Sequence, residues 1–152
     1  MKFAIHSHCE GDARVPRPLK AEVEQSISEI DVRSERGAAR RLRDQFLGNI
    51  RSKGWSGELS VARGSDISIT SIKDGVGLCL QTGNMARMYA DLIKLQTLYL
   101  DNGIMSAVYV LPSQPTALQL GDNIASAARL ERELEIFRKA YFVPTLLFAL
   151  EG

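Results

Sequence analysis

Apolar residues recur at three- and four-residue intervals in four segments of the chain, which is the period of an amphipathic helix. The predicted helices cover about residues 19–30, 34–52, 83–101 and 122–140. Ser34 is a suitable N-cap for the second helix, and Asn102-Gly103 ends the third through residues that tolerate a positive φ. Each helix has one apolar face, so each needs another layer of structure to cover it.

Other segments have the pattern of strands. Apolar runs predict strands over 2–6, 106–111 and 142–150, and Pro144 suits an edge strand or a strand start. Residues 65–72 and 76–82 alternate between apolar and polar, while residues 112–122 read as a long loop. The resulting order, β-α-α-β-β-α-β-α-β, predicts an α/β domain with a mixed sheet flanked by helices.

The two alternating segments are separated by Lys73-Asp74-Gly75, and an Asp-Gly pair in this setting is a strong signal of a β-hairpin. A two-residue turn at 74–75 places Thr70 opposite Cys79. One face of the hairpin then carries Ser68, Thr70, Ile72, Gly77, Cys79 and Gln81. The other face carries Ile67, Ile69, Leu78 and Leu80. We therefore expect the second face to be core and the first to be small and polar.

Composition fits one globular domain covering residues 1–152. Hydrophobic residues make up 45% of the chain and charged residues 24%, and the net charge of +1 drives it onto neither nucleic acid nor membrane. Positive charge is nevertheless concentrated between residues 33 and 53, which include seven basic residues and two acidic ones. Arg36, Arg40 and Arg43 share a helix face there, which suits phosphate contact or a solvated surface.

Two cysteines do not make a disulfide framework in a chain of this size, and the N-terminus has no apolar signal region. No stretch is long enough to form a transmembrane helix. We therefore expect a cytoplasmic protein without membrane association.

The hairpin and the helix after it resemble the active-site segment of the BglII/BstYI group of type II restriction endonucleases, within the PD-(D/E)xK nuclease superfamily. The residues in register are Ile69, Val76, Leu78, Leu80, Gln81, Gly83 and Asn84. Residues 85–96 and 107–112 are also similar, so the resemblance covers about residues 66–112. It implies a restriction-endonuclease-like mixed β-sheet flanked by α-helices, and a homodimer that binds double-stranded DNA.

The same resemblance shows which residues depart from the family. In the group, an Asp and a Glu on the two hairpin strands hold Mg²⁺, which activates water for attack on the scissile phosphate. Thr70 stands at the Asp position and Cys79 at the Glu position, and only Gln81 keeps the family's residue. A neutral hydroxyl and a soft thiol do not replace two carboxylates on a hard dication. We therefore expect no metal cofactor and a catalytically inactive, DNA-binding domain.

Two alternatives stay open. One is an active Mg²⁺-dependent endonuclease with relocated carboxylates, drawn from Glu22, Glu24 or Asp66, in which Gln81 positions water or phosphate. The other is a protein-interaction module without a nucleic-acid role. Asn84 and Arg87, at the start of the third helix, and Lys94 further along it, join the arginines of the second helix as candidate DNA contacts.

Two further sets of residues carry possible chemistry. His6, His8 and Cys9 are good ligands for a transition metal, although no fourth ligand stands near them in the sequence. Cys79 is also a conceivable nucleophile, but both histidines are far from it in sequence and no base is identified.

Overall fold

The computed structural model describes residues 1–152 and contains seven strands and six helices. The strands are β1 Lys2–His8, β2 Leu59–Ser60, β3 Ser68–Ile69, β4 Ser71–Lys73, β5 Val76–Leu80, β6 Ser106–Pro112 and β7 Thr145–Glu151. The helices are α1 Gly11–Arg14, α2 Arg17–Ser28, α3 Ala39–Ser52, α4 Met85–Leu100, α5 Gln114–Leu120 and α6 Ala127–Ile136.

The main sheet has the strand order β1-β7-β6-β5-β4. Its three central strands, β7, β6 and β5, are parallel to one another, and the edge strands β1 and β4 are antiparallel to their neighbours. Buried side chains of α2 and α3 pack on one face of the sheet, and those of α4 and α6 pack on the other. The predicted α/β class, with a mixed sheet flanked by helices, is confirmed.

The predicted hairpin turn is present. Asp74 and Gly75 both have a positive φ, 45° and 78°, which is the requirement of a type I′ turn. Ile72 lies opposite Gly77, in the predicted register. The first strand of the hairpin is broken at Thr70, however, because residues 68–69 leave the main sheet and pair with β2 instead.

Several predicted boundaries were wrong. The predicted loop at 112–122 contains α5, whose N-cap Ser113 accepts a hydrogen bond from the amide of Thr116. The last helix occupies 127–136, a shorter span than predicted. Ser34 does not cap α3, since that helix begins at Ala39 and the hydroxyl of Ser34 is buried without a partner.

The C-terminal strand is central to the sheet, although its sequence had also suited an edge. β7 pairs with β1 on one side and with β6 on the other, and its residues 145–150 are buried. Pro144 stands directly before the strand, where its missing N–H breaks no hydrogen bond and its carbonyl accepts from Ala107 at 2.8 Å. Of the two readings of Pro144, the strand start is confirmed.

The apolar period of the last two predicted helices also assigns Ile93 and Phe137 to the core, and that prediction was wrong for both. Ile93 on α4 is 68% exposed, and Phe137 at the end of α6 is 45% exposed. Ile93 lies at the solvent side of the apolar stripe of α4, and Phe137 lies just past the end of α6, which stops at Ile136. None of the helices has both the length and the apolar character that crossing a bilayer would require.

Candidate functional site

A cleft of about 500 Å³ opens where β5 ends and α4 begins. Its lining comes from the first hairpin strand, the end of β5, α3 and α4, together with the segment before β2. Its charged residues are Arg43, Glu58, Arg87, Asp91 and Lys94; its other lining residues are Ser68, Ile69, Thr70, Leu80, Gln81, Thr82, Gly83 and Ala90. The cleft therefore contains Thr70 and Gln81, two of the three residues that the sequence predicted as active-site positions.

A buried carboxylate lies at the centre of the polar network in this cleft. Asp91 is only 7% exposed. It accepts hydrogen bonds from Gln81 Nε2 at 2.9 Å and from the Tyr109 hydroxyl at 3.1 Å, and Lys94 Nζ lies 3.1 Å from its other oxygen. Burial and the charge of Asp91 raise the pKa of Tyr109 well above the usual value for a phenol. Three donors satisfy the carboxylate, as a buried charge requires.

Gln81 also fixes the backbone around the cleft. Its side-chain Oε1 accepts a hydrogen bond from the backbone amide of Gly83 at 3.0 Å, and its backbone amide donates to the carbonyl of Val110 at 2.9 Å. Both ends of the side-chain amide are therefore engaged, one with the loop that leads into α4 and one with Asp91 on that helix. Gln81 is therefore held in one orientation.

Thr70 occupies the break in the hairpin strand. Its Oγ1 accepts a hydrogen bond from the backbone amide of Leu80 at 3.0 Å. The hydroxyl thus takes the place of the ladder acceptor that is lost where the first hairpin strand turns toward β2. This contact explains a threonine at this position by structure alone, without a metal.

Cys79 is buried, with 1% of its surface exposed, and it does not line the cleft. Burial, followed by the negative charge of Asp91, raises the pKa of its thiol far above the usual value, while a contact with the backbone of Thr70 acts in the opposite direction. The thiol therefore stays protonated at neutral pH. This protonation removes the basis for Cys79 as a thiolate nucleophile.

The prediction that the Cys79 face of the hairpin is small and polar was wrong. Cys79 shares one apolar cluster with Ile69, Tyr109 and the inner side of α4, whereas Leu78 and Leu80 pack on the opposite face of the sheet. Ile69 had been assigned to the Leu78 face. The break at Thr70 shifts the alternation by one position, which turns Ile69 to the other side.

The arginines predicted to contact DNA divide into two groups. Arg36 pairs with Asp122 at 3.1 Å and Arg40 lies 3.9 Å from Asp44, and neither lines the cleft. Arg43 and Arg87 both line it, and Arg43 also donates to the carbonyl of Leu80 at 3.2 Å. Asn84 is the N-cap of α4, where its Oδ1 accepts from the amide of Ala86 at 2.8 Å.

The carboxylates considered as relocated metal ligands are engaged elsewhere. Glu22 accepts from Lys73 Nζ at 2.8 Å and from the indole of Trp55 at 2.8 Å. Burial by itself raises the pKa of Glu22, but these two hydrogen bonds outweigh it, and the pKa is lower than usual. Glu24 lies 3.6 Å from Lys20, and Asp66 is not part of the cleft. No three His, Cys, Asp or Glu side chains are grouped as a metal site in the described chain.

The N-terminal histidines are likewise not arranged as metal ligands. His8 is 1% exposed, and its Nε2 donates to the carbonyl of Tyr141 at 2.9 Å, with Cys9 Sγ 3.3 Å from the same nitrogen. The ring stacks on Tyr141 with the centroids 5.6 Å apart, and Nδ1 has no partner. His8 is therefore a core residue that closes β1 against the segment before β7.

Two charged cleft residues, Asp91 and Glu58, were missed from the sequence, whereas Lys94 was a candidate for phosphate contact and does line the cleft. The signal that could have found Asp91 is its spacing from Lys94, because an Asp and a Lys three residues apart lie on one helix face. For Glu58, which lies in an irregular segment, the sequence offers no such signal.

The fold and this cleft together define a restriction-endonuclease-type domain. Residues 3–150 match the family described as restriction endonuclease BglII/BglIII, and the chain belongs to that family. The crystal structure of restriction endonuclease BglII complexed with a DNA 16-mer is similar to it, with a TM-score of 0.87 and 13% identity, over 100% of this chain and 79% of that one. Free BglII is similar with a TM-score of 0.73 and 14% identity, over 100% of this chain and 80% of that one. No curated protein matches the chain by sequence.

Proposed function

We propose that the chain is a DNA-binding member of the BglII family that does not cleave DNA by metal-dependent hydrolysis. The observation that carries this proposal is the pair of residues at the two acidic positions. The Thr70 hydroxyl is engaged with the amide of Leu80, and the thiol of Cys79 is buried and protonated. Neither supplies the charged, hard oxygen ligand that Mg²⁺ requires.

The charge of the cleft supports DNA as the partner. Arg43, Arg87 and Lys94 line it against two carboxylates, and the arginines suit bidentate contact with phosphate oxygens. Both cysteines are free thiols, which fits action in the reducing cytoplasm. Residual specificity for a base sequence would have to come from elements outside this cleft, because backbone contacts carry no sequence information.

Two measurements on the same sample test the proposal. Fluorescence anisotropy with a labelled duplex, over a series of salt concentrations, should give binding that weakens steeply as salt rises. Incubation of supercoiled plasmid with Mg²⁺ or Mn²⁺ should give no nicked or linear product. Metal-dependent cleavage that Asp91→Asn abolishes would refute the loss of catalysis. Absence of both binding and cleavage would favour a protein-interaction module.

A double variant tests the role of the two positions directly. Thr70→Asp combined with Cys79→Glu restores the family's residues, so the folded variant should gain affinity for Mg²⁺ or Mn²⁺ by isothermal titration calorimetry. The matched control is Thr70→Asp combined with Met105→Glu, which adds the same two negative charges but places the second one at an exposed residue outside the cleft. A folded double variant that binds neither ion would show that these positions are not the family's metal positions.

The second candidate function is metal-dependent cleavage through carboxylates in new positions. The observation in its favour is that Glu58 and Asp91 line the same cleft as Lys94. Asp91, however, already accepts from Gln81, Tyr109 and Lys94, so a metal ion would have to displace part of this network. The plasmid experiment with Asp91→Asn distinguishes this candidate from the first.

We further propose that the chain is a homodimer through an apolar surface, here called the α4–α6 face. Its exposed large apolar side chains are Ile93 and Phe137, and the exposed Phe142 lies beside them, with its backbone amide bonded to Gln96. A groove of about 370 Å³ runs along it between α4 and the end of α6. Exposed apolar side chains gathered on one surface are typical of an interface. Nearby ion pairs of α6, Arg129 with Glu133 and Arg138 with Glu135, supply both signs of charge, as a self-complementary two-fold interface needs.

Sedimentation velocity tests the dimer. Ile93→Glu should convert a dimer to a monomer, because it buries a charge in the α4–α6 face. Met105→Glu is the matched control, since Met105 is 74% exposed, apolar and outside this face. A wild-type chain that sediments as a monomer at high protein concentration would contradict the proposal.

A further inference from the structure

The cleft has more positive than negative charge even without a metal ion. Lys94 is paired with Asp91, but Arg43 and Arg87 take part in none of the salt bridges of the chain. One guanidinium comes from α3 and the other from the first turn of α4. Glu58 is the remaining charged group, and it is exposed.

The uncharged residues of the cleft offer spare hydrogen-bond donors. Thr82 lines the cleft, and only 6% of its surface is exposed. No hydrogen bond of the chain engages its hydroxyl. The Thr70 hydroxyl accepts from the amide of Leu80, so its own proton remains to be donated. A hydroxyl without a hydrogen-bond partner, in a cleft with two guanidinium groups that form no salt bridge, indicates a ligand rich in acceptors, although Arg43 also donates to the carbonyl of Leu80.

We propose that this cleft binds a phosphate group directly, without a divalent ion, through Arg43, Arg87 and the hydroxyl of Thr82. Two carboxylates at the positions of Thr70 and Cys79 would repel phosphate until a metal neutralised them. The neutral residues present remove that repulsion, and arginine contacts phosphate through two parallel hydrogen bonds. The inference rests on the proposed DNA binding for one source of phosphate, the DNA backbone. The other source is the terminal phosphate of a mononucleotide.

Binding of a duplex in excess EDTA tests the first source. We expect wild-type affinity to be unchanged by EDTA. Arg87→Gln should weaken binding by roughly tenfold and reduce the slope of log K against log salt by about one, since one phosphate contact is lost. Thr82→Val removes only the hydroxyl and should weaken binding with little change in the slope. Arg51→Gln is the charge-matched control, because Arg51 is exposed, unpaired and outside the cleft.

A titration with inorganic phosphate and with a nucleoside monophosphate, followed by the amide NMR signals of Thr82 and Gly83, tests the second source. Chloride at equal ionic strength is the control. If these phosphates shift the signals in wild type but not in Arg87→Gln, and the duplex does not bind, the cleft inference holds and the proposed DNA binding fails.

The opposite pattern separates the two proposals in the other direction. If the duplex binds but Arg87→Gln and Thr82→Val behave like Arg51→Gln, DNA binding stands and the cleft inference is overturned. A requirement for Mg²⁺ in binding would also overturn it. If neither the duplex nor the small phosphates bind, both proposals fail.

Discussion

Gln81 donates a hydrogen bond of 2.9 Å to Asp91, so the residue that matches the family pattern is tied to a carboxylate on the following helix. Asp91 is almost buried and is also bonded to Tyr109 and Lys94. Gln81 is therefore part of a network that joins the end of β5, β6 and α4.

The network predicts a clear cost for removing its central charge. Asp91→Asn keeps the volume but leaves Lys94 without its partner and places an amide donor against donors from Gln81 and Tyr109. We expect the free energy of unfolding to fall by about 1–3 kcal/mol, as for a disrupted buried polar group. Urea denaturation followed by circular dichroism measures it. Asp122→Asn, at an exposed ion pair with Arg36, is the control and should cost less than about 1 kcal/mol. Equal losses for the two variants would contradict the structural role of Asp91.

The Thr70 hydroxyl provides a second prediction. Thr70→Val removes the acceptor for the amide of Leu80 and leaves that buried group unpaired. We expect a loss of about 1–3 kcal/mol in the free energy of unfolding, because an unsatisfied buried donor keeps its full desolvation cost. Thr70→Ser keeps the hydroxyl and should lose less. The rate of hydrogen exchange at the Leu80 amide measures the bond locally and should increase in the valine variant. An unchanged exchange rate would contradict the hydrogen bond.

The two cysteines should differ in reactivity. The raised pKa and the burial of Cys79 predict that its thiol does not react with a disulfide reagent at neutral pH while the protein is folded. Cys9 is half-buried, so one thiol per native chain should react, and two after unfolding. The Cys9→Ser variant should then show no native reactivity. A native thiol titrated in that variant would show that Cys79 is accessible.

His8 predicts how stability depends on pH. Burial lowers the pKa of His8 from its ordinary value, and a second proton at Nδ1 would have no partner. The unfolded chain therefore binds a proton more readily than the folded chain. The resulting stability is fully present above the unfolded pKa of about 6.5, and it decreases as pH falls through the lower folded pKa.

Urea denaturation at about pH 7.5 and about pH 5 measures the His8 contribution, and the free energy of unfolding should be lower at the acidic pH. His8→Asn cannot titrate in this range, so its stability should change less between the two conditions. Equal pH dependence in wild type and variant would exclude His8 as the source. The ring nitrogen signals of His8 by NMR, which report its protonation directly, are the independent readout.

The comparison of sequence and structure is clearest at the hairpin. Asp74-Gly75 determined the turn and the register, because few residue pairs accept two positive φ angles in succession. The alternation before Thr70 did not determine which face Ile69 occupies. That depended on the pairing of residues 68–69 with β2, which lies outside the hairpin. Sequence periodicity depends on local geometry, so it does not show which strand a segment pairs with.

The local sequence determined the order of the main helices and strands and the hairpin turn, but not the short elements α1, β2 and α5. Only the tertiary structure decided that Asp91 and Lys94 face Gln81, that Arg43 and Arg87 share a cleft, and that Arg36 pairs with Asp122. It also made the last strand central. The physical reason is that helix and strand formation depend on neighbours within a few residues, whereas a site is assembled by packing segments far apart in the chain.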